Sequence, residues 1–60
     1  MNELDVVSLQ QDYKNLKVNT KGVVVLKYNN NDFEVEFFDS ENHTIGVYTV
    51  SRKYLRKEAQ

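Results

Sequence analysis

The sequence contains no cysteine and no proline, and it has a single histidine. Without cysteine, the chain has neither disulfide bonds nor thiolate ligands for a metal. A zinc site built on histidines is excluded as well, because His43 stands alone. The absence of proline rules out proline-rich linkers between domains. We therefore expect one domain over residues 1–60, without a metal or other cofactor.

Neither sign of charge dominates: eight basic and nine acidic residues leave a net charge of −1. Proteins that bind nucleic acid usually carry a basic excess, so nucleic acid is disfavoured as a partner. The chain has no apolar run of membrane-spanning length and does not open with a basic and then apolar leader. We expect a soluble, cytoplasmic protein without a membrane partner, and the lack of cysteine agrees with that compartment.

The apolar residues are mostly β-branched or aromatic, and they come in short runs separated by polar clusters. This pattern is typical of strands. A polar segment at 51–54 predicts one 3₁₀ turn before the last strand. The predicted strands are Leu4–Leu9, Gly22–Tyr28, Phe33–Phe38, Thr44–Val50 and a short piece at Leu55.

The third run has the clearest alternation, with Glu34 and Glu36 between apolar residues. One face of this strand is therefore predicted to be buried and the other wet. The asparagines before it suit a hairpin turn, because asparagine tolerates a left-handed backbone. Continuous alternation across the hairpin also places Lys27 opposite Glu34 as an ion pair. The predicted core pairs are Tyr28 with Phe33, Leu26 with Val35, and Val24 with Phe37.

The second hairpin allows two arrangements. A two-residue turn at Glu41 and Asn42, with Asn42 at positive φ, aims Gly46, Tyr48 and Val50 inward. A five-residue loop over 39–43 instead aims the other face inward, namely Ile45, Val47 and Thr49. Gly46 inside the strand suggests a bulge or a sharp bend.

Short sequential strands with strong bends predict an all-β fold, a small five-stranded SH3-like barrel with one 3₁₀ turn before the last strand. Residues 10–21 form its long first loop. Closure of such a barrel removes exposed strand edges. An OB-type barrel is the second choice, since it usually needs a longer chain.

The residues resemble a bacterial family described as domain of unknown function 4926, over positions 4 to 56. Asn19 and Asn42 stand where that family has loop glycines, and both substitutions keep a residue that tolerates positive φ. Lys57 stands where the family often has proline. The resemblance implies an SH3-like barrel and no established activity. The matching segments are Asp5–Leu9, Leu16–Gly22, Val23–Val25, Phe33–Phe37 and Leu55-Arg56.

No residue pattern predicts catalysis. His43 lies in a polar turn, and none of the serines has the context of a nucleophile elbow. Glu34 and Glu36 share one strand face, as paired carboxylates of a glycosidase would, but a solvated strand face explains them better. We therefore predict that the protein is not an enzyme and has no catalytic residues.

The predicted register leaves Val23, Val25 and Phe38 on the face away from the core. Apolar groups on a wet face form an interaction surface unless something covers them. Two readings remain open. Either the first loop, with Tyr13, Leu16 and Val18, folds over this face, or the face binds another protein or a second copy.

The function predicted on this basis is that of a protein-interaction module, which binds or inhibits a larger protein or self-associates. Its candidate binding residues are the three outer-face residues together with Tyr13 and Tyr54 as aromatic anchors. The alternative is a small RNA- or DNA-binding module. It would use the basic C-terminal turn, where four basic residues surround Tyr54: Arg52, Lys53, Arg56 and Lys57.

Overall fold

Five antiparallel strands form one sheet in the computed structural model, which describes residues 1–58. The order across the sheet is β4-β3-β2-β1-β5. The described part of the chain contains no helix long and apolar enough to cross a membrane. The all-β class, the five strands and the turn before the last strand are confirmed. The elements are β1 (Val6–Leu9), β2 (Lys21–Lys27), β3 (Asp32–Phe38), β4 (Thr44–Ser51), a 3₁₀ turn (Arg52–Tyr54) and β5 (Leu55–Lys57).

The link between the two edge strands forces the sheet to curl. If the sheet were flat, β4 and β5 would lie four strand spacings apart, which is about 19 Å. The chain from Ser51 to Leu55 makes four residue steps and spans at most about 14 Å. The two edges must therefore approach each other, although β4 and β5 share no hydrogen-bonded ladder within residues 1–58.

The predicted closure is thus not formed: the sheet is curled but open. The gap is bridged by other contacts. The Tyr13 hydroxyl donates to the Thr49 carbonyl of β4 at 2.9 Å, and the Tyr13 ring lies on the Tyr54 ring with centroids 4.8 Å apart. The Gln10 N–H donates to the Tyr54 carbonyl. The first loop occupies the place where a closing ladder would form.

The core lies on the concave side of the curled sheet. It takes alternate residues from each strand, and Leu16 of the first loop closes it. Phe33, Val35 and Phe37 are all buried, as the alternation in β3 predicts. The buried apolar residues are Val7, Leu9, Leu16, Val24, Phe33, Val35, Phe37, Val50 and Leu55.

The predicted register of β2 against β3 is wrong. Val24 pairs with Val35, and Gly22 pairs with Phe37. The bulky phenyl ring explains the choice, because a Cβ on Gly22 would lie only 2.9 Å from Phe37 Cδ1. A residue with a side chain, such as Val24, would not fit in the position opposite Phe37.

A bulge between Val24 and Leu26 then breaks the alternation of β2. Leu26 pairs with Glu34, so the predicted Lys27–Glu34 pair does not form. Leu26 and Tyr28 are 42% and 55% exposed rather than buried. The two residues assigned to the core therefore belong to the surface.

The loop of the first hairpin is held by a side chain and not by a left-handed residue. Asn29 Oδ1 accepts the N–H groups of Asn31 at 2.7 Å and Asp32 at 2.9 Å. None of the three asparagines has positive φ. Asparagine matters here as a hydrogen-bond acceptor that organises the turn.

The second hairpin combines the two predicted arrangements. Its loop has five residues, 39–43, and Asn42 has φ 66°. Gly46, Tyr48 and Val50 nevertheless face the core side. A bulge reconciles the two, because Phe37 pairs with Gly46 while Phe38 pairs with Thr44, and Ile45 is skipped.

Replacing Gly22 with alanine tests the close packing of β2 against β3. The added Cβ would lie 2.8 Å from the Glu36 carbonyl oxygen, a backbone atom that cannot rotate away. We expect Gly22→Ala to lower the free energy of unfolding by about 1–3 kcal/mol, as overpacking does. Urea denaturation measures it. Gly46→Ala is the matched control, since its nearest neighbour is the Tyr48 ring at 3.2 Å. Equal losses in both variants would contradict this account.

Candidate interaction surface

The convex side of the sheet carries an apolar groove. Val6 of β1 and Val23 of β2 are paired neighbours at its centre. Phe38 at the end of β3 lies beside them, and Lys21 pairs with it across the strands. The groove has a volume of about 890 Å³. Its apolar lining consists of Val6, Val18, Val23, Phe38 and Ile45.

These side chains reach the groove for local reasons. Val6 and Val23 lie on the convex side because their neighbours Val7 and Val24 point into the core. Val18 comes from the end of the first loop, just before Asn19, which has φ 73° and turns the chain into β2. Ile45 is the extra residue of the β4 bulge. Val18 and Ile45 are 45% and 41% exposed.

Charged side chains at the rim of the groove already have partners. Lys21 Nζ lies 3.8 Å from Glu58 Oε1. Asp39 Oδ1 accepts the backbone N–H groups of Glu41 and His43, each at 2.9 Å. The charged groups at the rim therefore interact within the chain, and the floor of the groove offers apolar contacts.

The predicted binding residues do not form one surface. Val23 and Phe38 line the groove, as the outer-face interpretation predicts. Val25 is 40% exposed but lies at the β2 bulge, outside the groove. Tyr13 and Tyr54 contact each other elsewhere and pack partly against the core. As anchors they would belong to a different part of the surface.

The first loop does not fold over the outer face as a whole, which was one of the two alternatives predicted from the sequence. Leu16 inserts into the core, so the loop covers the concave side of the sheet. Val18 alone among the three apolar loop residues lines the groove. The outer face consequently stays open, with Val18 forming part of one wall.

Val6, Val18 and Ile45 were missed in the prediction from sequence. The sequence could have placed Val6 on the outer face, because it precedes Val7 in a strand where alternate residues face opposite sides. It could not have placed Ile45 there, since the orientation of Ile45 follows from a bulge that depends on Phe37 opposite Gly46. Val18 depends on the course of the first loop, which periodicity does not describe.

A polar cluster fastens Arg56 and Glu58 to Ser8 of β1. Ser8 is buried, and its hydroxyl donates to Glu58 Oε2 at 2.6 Å. Arg56 Nη2 donates to Ser8 Oγ at 2.9 Å and to Asn19 Oδ1 at 3.2 Å. The hydrogen bond from Ser8 holds the pKa of Glu58 below its usual value, and Lys21 and Arg56 act in the same direction.

The basic C-terminal turn is divided by this cluster. Arg56 is engaged by Ser8 and Glu58, on the side where Lys21 also lies. Arg52, Lys53 and Lys57 instead line a second hollow of about 670 Å³. Tyr54 is paired with Tyr13. The four basic residues and the tyrosine thus do not present one continuous surface.

His43 and the buried Ser8 have different partners in the structure. The His43 imidazole lies 3.7 Å from Asp39 and 3.8 Å from Glu41 in an exposed loop. Ser8, the buried serine, is hydrogen-bonded to Glu58 and Arg56. Within residues 1–58, no group of three or more acidic, histidine or cysteine side chains is placed to hold a metal ion.

The sequence matches the model of a known protein family. A family model with the description "Domain of unknown function (DUF4926)" matches residues 3–57. The searches of curated proteins and of solved structures return no match.

The depressed pKa of Glu58 predicts a pH dependence of stability. A carboxylate whose pKa is lowered in the folded state stabilises the fold above its unfolded pKa, and this contribution is lost as the pH falls through the folded pKa. We expect the free energy of unfolding to fall below about pH 4.3, and to fall less in Glu58→Gln. Ser8→Ala keeps the carboxylate but removes its hydrogen bond, which raises the folded pKa toward the unfolded one, so the loss should be smaller and should end at a higher pH. Urea denaturation across the acid range measures both effects. Parallel curves for wild type and Glu58→Gln would contradict the assignment.

Proposed function

The chain belongs to the family described as a domain of unknown function (DUF4926), and we propose that it is a non-catalytic protein-interaction module of the bacterial cytoplasm. The observation that carries this proposal is the apolar groove on the convex side of the sheet. The groove receives an apolar segment of a larger protein, which the module binds or inhibits.

The groove is not part of the hydrophobic core. The nine buried apolar residues lie on the opposite side of the sheet. Val18 and Ile45 remain 45% and 41% exposed to water, at a free-energy cost of about 25 cal/mol per Å² of exposed apolar surface. A partner that covers the groove removes this cost, which is the usual energetic basis of a hydrophobic interface.

The polar rim gives such an interface its orientation. Because Lys21 and Asp39 already have partners within the chain, they do not have to be desolvated as free charges when a partner binds. An apolar centre with a polar rim is the common arrangement of protein interfaces.

Substitutions on the walls of the groove test this function. Val18→Asp and Ile45→Asp place a charge at exposed positions that line it, so the fold should tolerate them. Val25→Asp is the matched control, an equally exposed valine outside the groove. A partner captured from cell extract by the immobilised protein is identified, purified and titrated against each variant. We expect affinity to fall about tenfold or more in the groove variants and to stay unchanged in the control.

Two outcomes would reject the groove as the binding surface. In one, the groove variants bind the purified partner as tightly as wild type does. In the other, Val25→Asp loses as much affinity as they do. Circular dichroism of each variant separates loss of binding from loss of folding.

A second candidate function is the binding of single-stranded nucleic acid. The observation in its favour is the hollow that brings Arg52, Lys53 and Lys57 together. Lys57 is already paired with Asp5 at 3.7 Å, and the surface as a whole is not basic, so this candidate ranks second. It predicts binding that weakens steeply with salt and is lost in Arg52→Glu with Lys53→Glu. No gel shift at low salt would reject it.

A further inference from the structure

The two edges of the open sheet differ in length and charge. The β5 edge is three residues long and contains Arg56 and Lys57. The β4 edge is eight residues long, Thr44 to Ser51, and contains no charged residue and no proline. Short, charged edges resist pairing with another strand, and long uncharged edges invite it. The β4 edge therefore lacks protection by charge, proline or short length, and the first loop reaches it at the Thr49 carbonyl through Tyr13.

Backbone groups of β4 point outward from the sheet. The Arg52 N–H donates to the Asn31 carbonyl at 2.7 Å and continues the ladder between β4 and β3. Hydrogen-bonded and non-hydrogen-bonded pairs alternate along an antiparallel ladder. The backbone N–H and carbonyl groups of Val50 and Tyr48 therefore point toward β3. Val47 and Thr49 direct theirs to the open edge. The Tyr13 hydroxyl reaches the Thr49 carbonyl from that side, in agreement with this parity.

Val47 is the centre of this open edge. Its side chain is 52% exposed. No backbone hydrogen bond from outside the β3–β4 ladder reaches its N–H or carbonyl group within residues 1–58. Unpaired N–H and carbonyl groups on an extended strand match one kind of occupant, which is another extended strand.

The charges on either side of β4 indicate which strand would pair with it. The loop before β4 contains Asp39 and Glu41, and the turn after it contains Arg52 and Lys53. An antiparallel copy of the same strand places the acidic loop of each chain beside the basic turn of the other. In a register centred on Val47, Glu41 comes opposite Lys53 of the second copy. The edge is thus complementary to itself in both backbone pattern and charge.

We propose that β4 pairs antiparallel with β4 of a second copy about a two-fold axis at Val47, so that one sheet runs through both chains. The Val47 N–H of each copy donates to the Val47 carbonyl of the other. The exposed Val47 side chains meet at the axis, and Ile45 lies across from Thr49. The centre of the groove lies at Val23 of β2 and Val6 of β1, two and three strands away from β4, and Ile45 is the residue that the groove shares with this edge.

Sedimentation velocity over a wide range of protein concentration tests the dimer. Wild type is expected to dimerise reversibly, and Val47→Lys to weaken dimerisation about tenfold or more, because lysine on an edge opposes strand pairing. Val25→Lys is the matched control and should dimerise like wild type. A wild-type chain that stays monomeric throughout, or a dimer that survives Val47→Lys, would overturn the proposal.

A single cysteine tests the register in a chain that has none of its own. Residues paired across a two-fold axis have Cα atoms about 5.5 Å apart, which a disulfide can bridge. Under mild oxidation, Val47→Cys is expected to give cross-linked dimer in high yield, and Val25→Cys little. Equal yields from the two variants would overturn the proposed axis.

A charge swap separates self-pairing from pairing with another protein. Lys53→Glu should weaken the dimer several-fold, and Glu41→Lys in the same chain should restore it. If neither change affects self-association, the proposed pairing is wrong. Ile45 belongs to both surfaces, so Val18→Asp is the groove variant that reports on the proposed function alone. Val47 and Lys53 do not line the groove, so their variants report on the dimer. Either can fail alone.

Discussion

The short link between β4 and β5 is the constraint on which the rest of the structure depends. These strands lie at opposite edges of the sheet, yet a single 3₁₀ turn of three residues connects them. A sheet of five strands can satisfy that link only by curling. Curling creates a concave side narrow enough for nine apolar side chains to fill, one of which, Leu16, comes from the first loop. In a domain of this size, that single cluster supplies the hydrophobic stabilisation.

Curling also determines what remains outside. The convex side carries Val6, Val23 and Phe38, which no element of the described chain covers, because the first loop is used on the concave side. The ladder stays open, so β4 keeps a free edge. The proposed groove and the proposed dimer edge therefore both follow from the position of the first loop, which completes the core.

Glycine and asparagine decide where the regular pattern is interrupted. Gly22 lies opposite Phe37 because a side chain there would collide with the ring and with the β3 backbone. Asn19 and Asn42 take positive φ, where asparagine is tolerated at lower cost than most residues. Asn19 and Asn42 were recognisable from the sequence as turn residues, and Gly22 as the first residue of a strand. Their effect on register was not, because it depends on which residue faces them across the sheet.

The sequence by itself determined the strand content, the turn before the last strand, the burial of alternate β3 residues and the family. These follow from local patterns, since side chains of a strand alternate between faces whatever lies around it. Tertiary structure decided the β2–β3 register, the exposure of Leu26 and Tyr28, and the membership of the groove. The two bulges explain why these features could not be predicted from the sequence. A bulge forms where a contact between residues distant in the chain, such as Phe37 with Gly22 or Gly46, outweighs continuous pairing, and no local pattern records that contact.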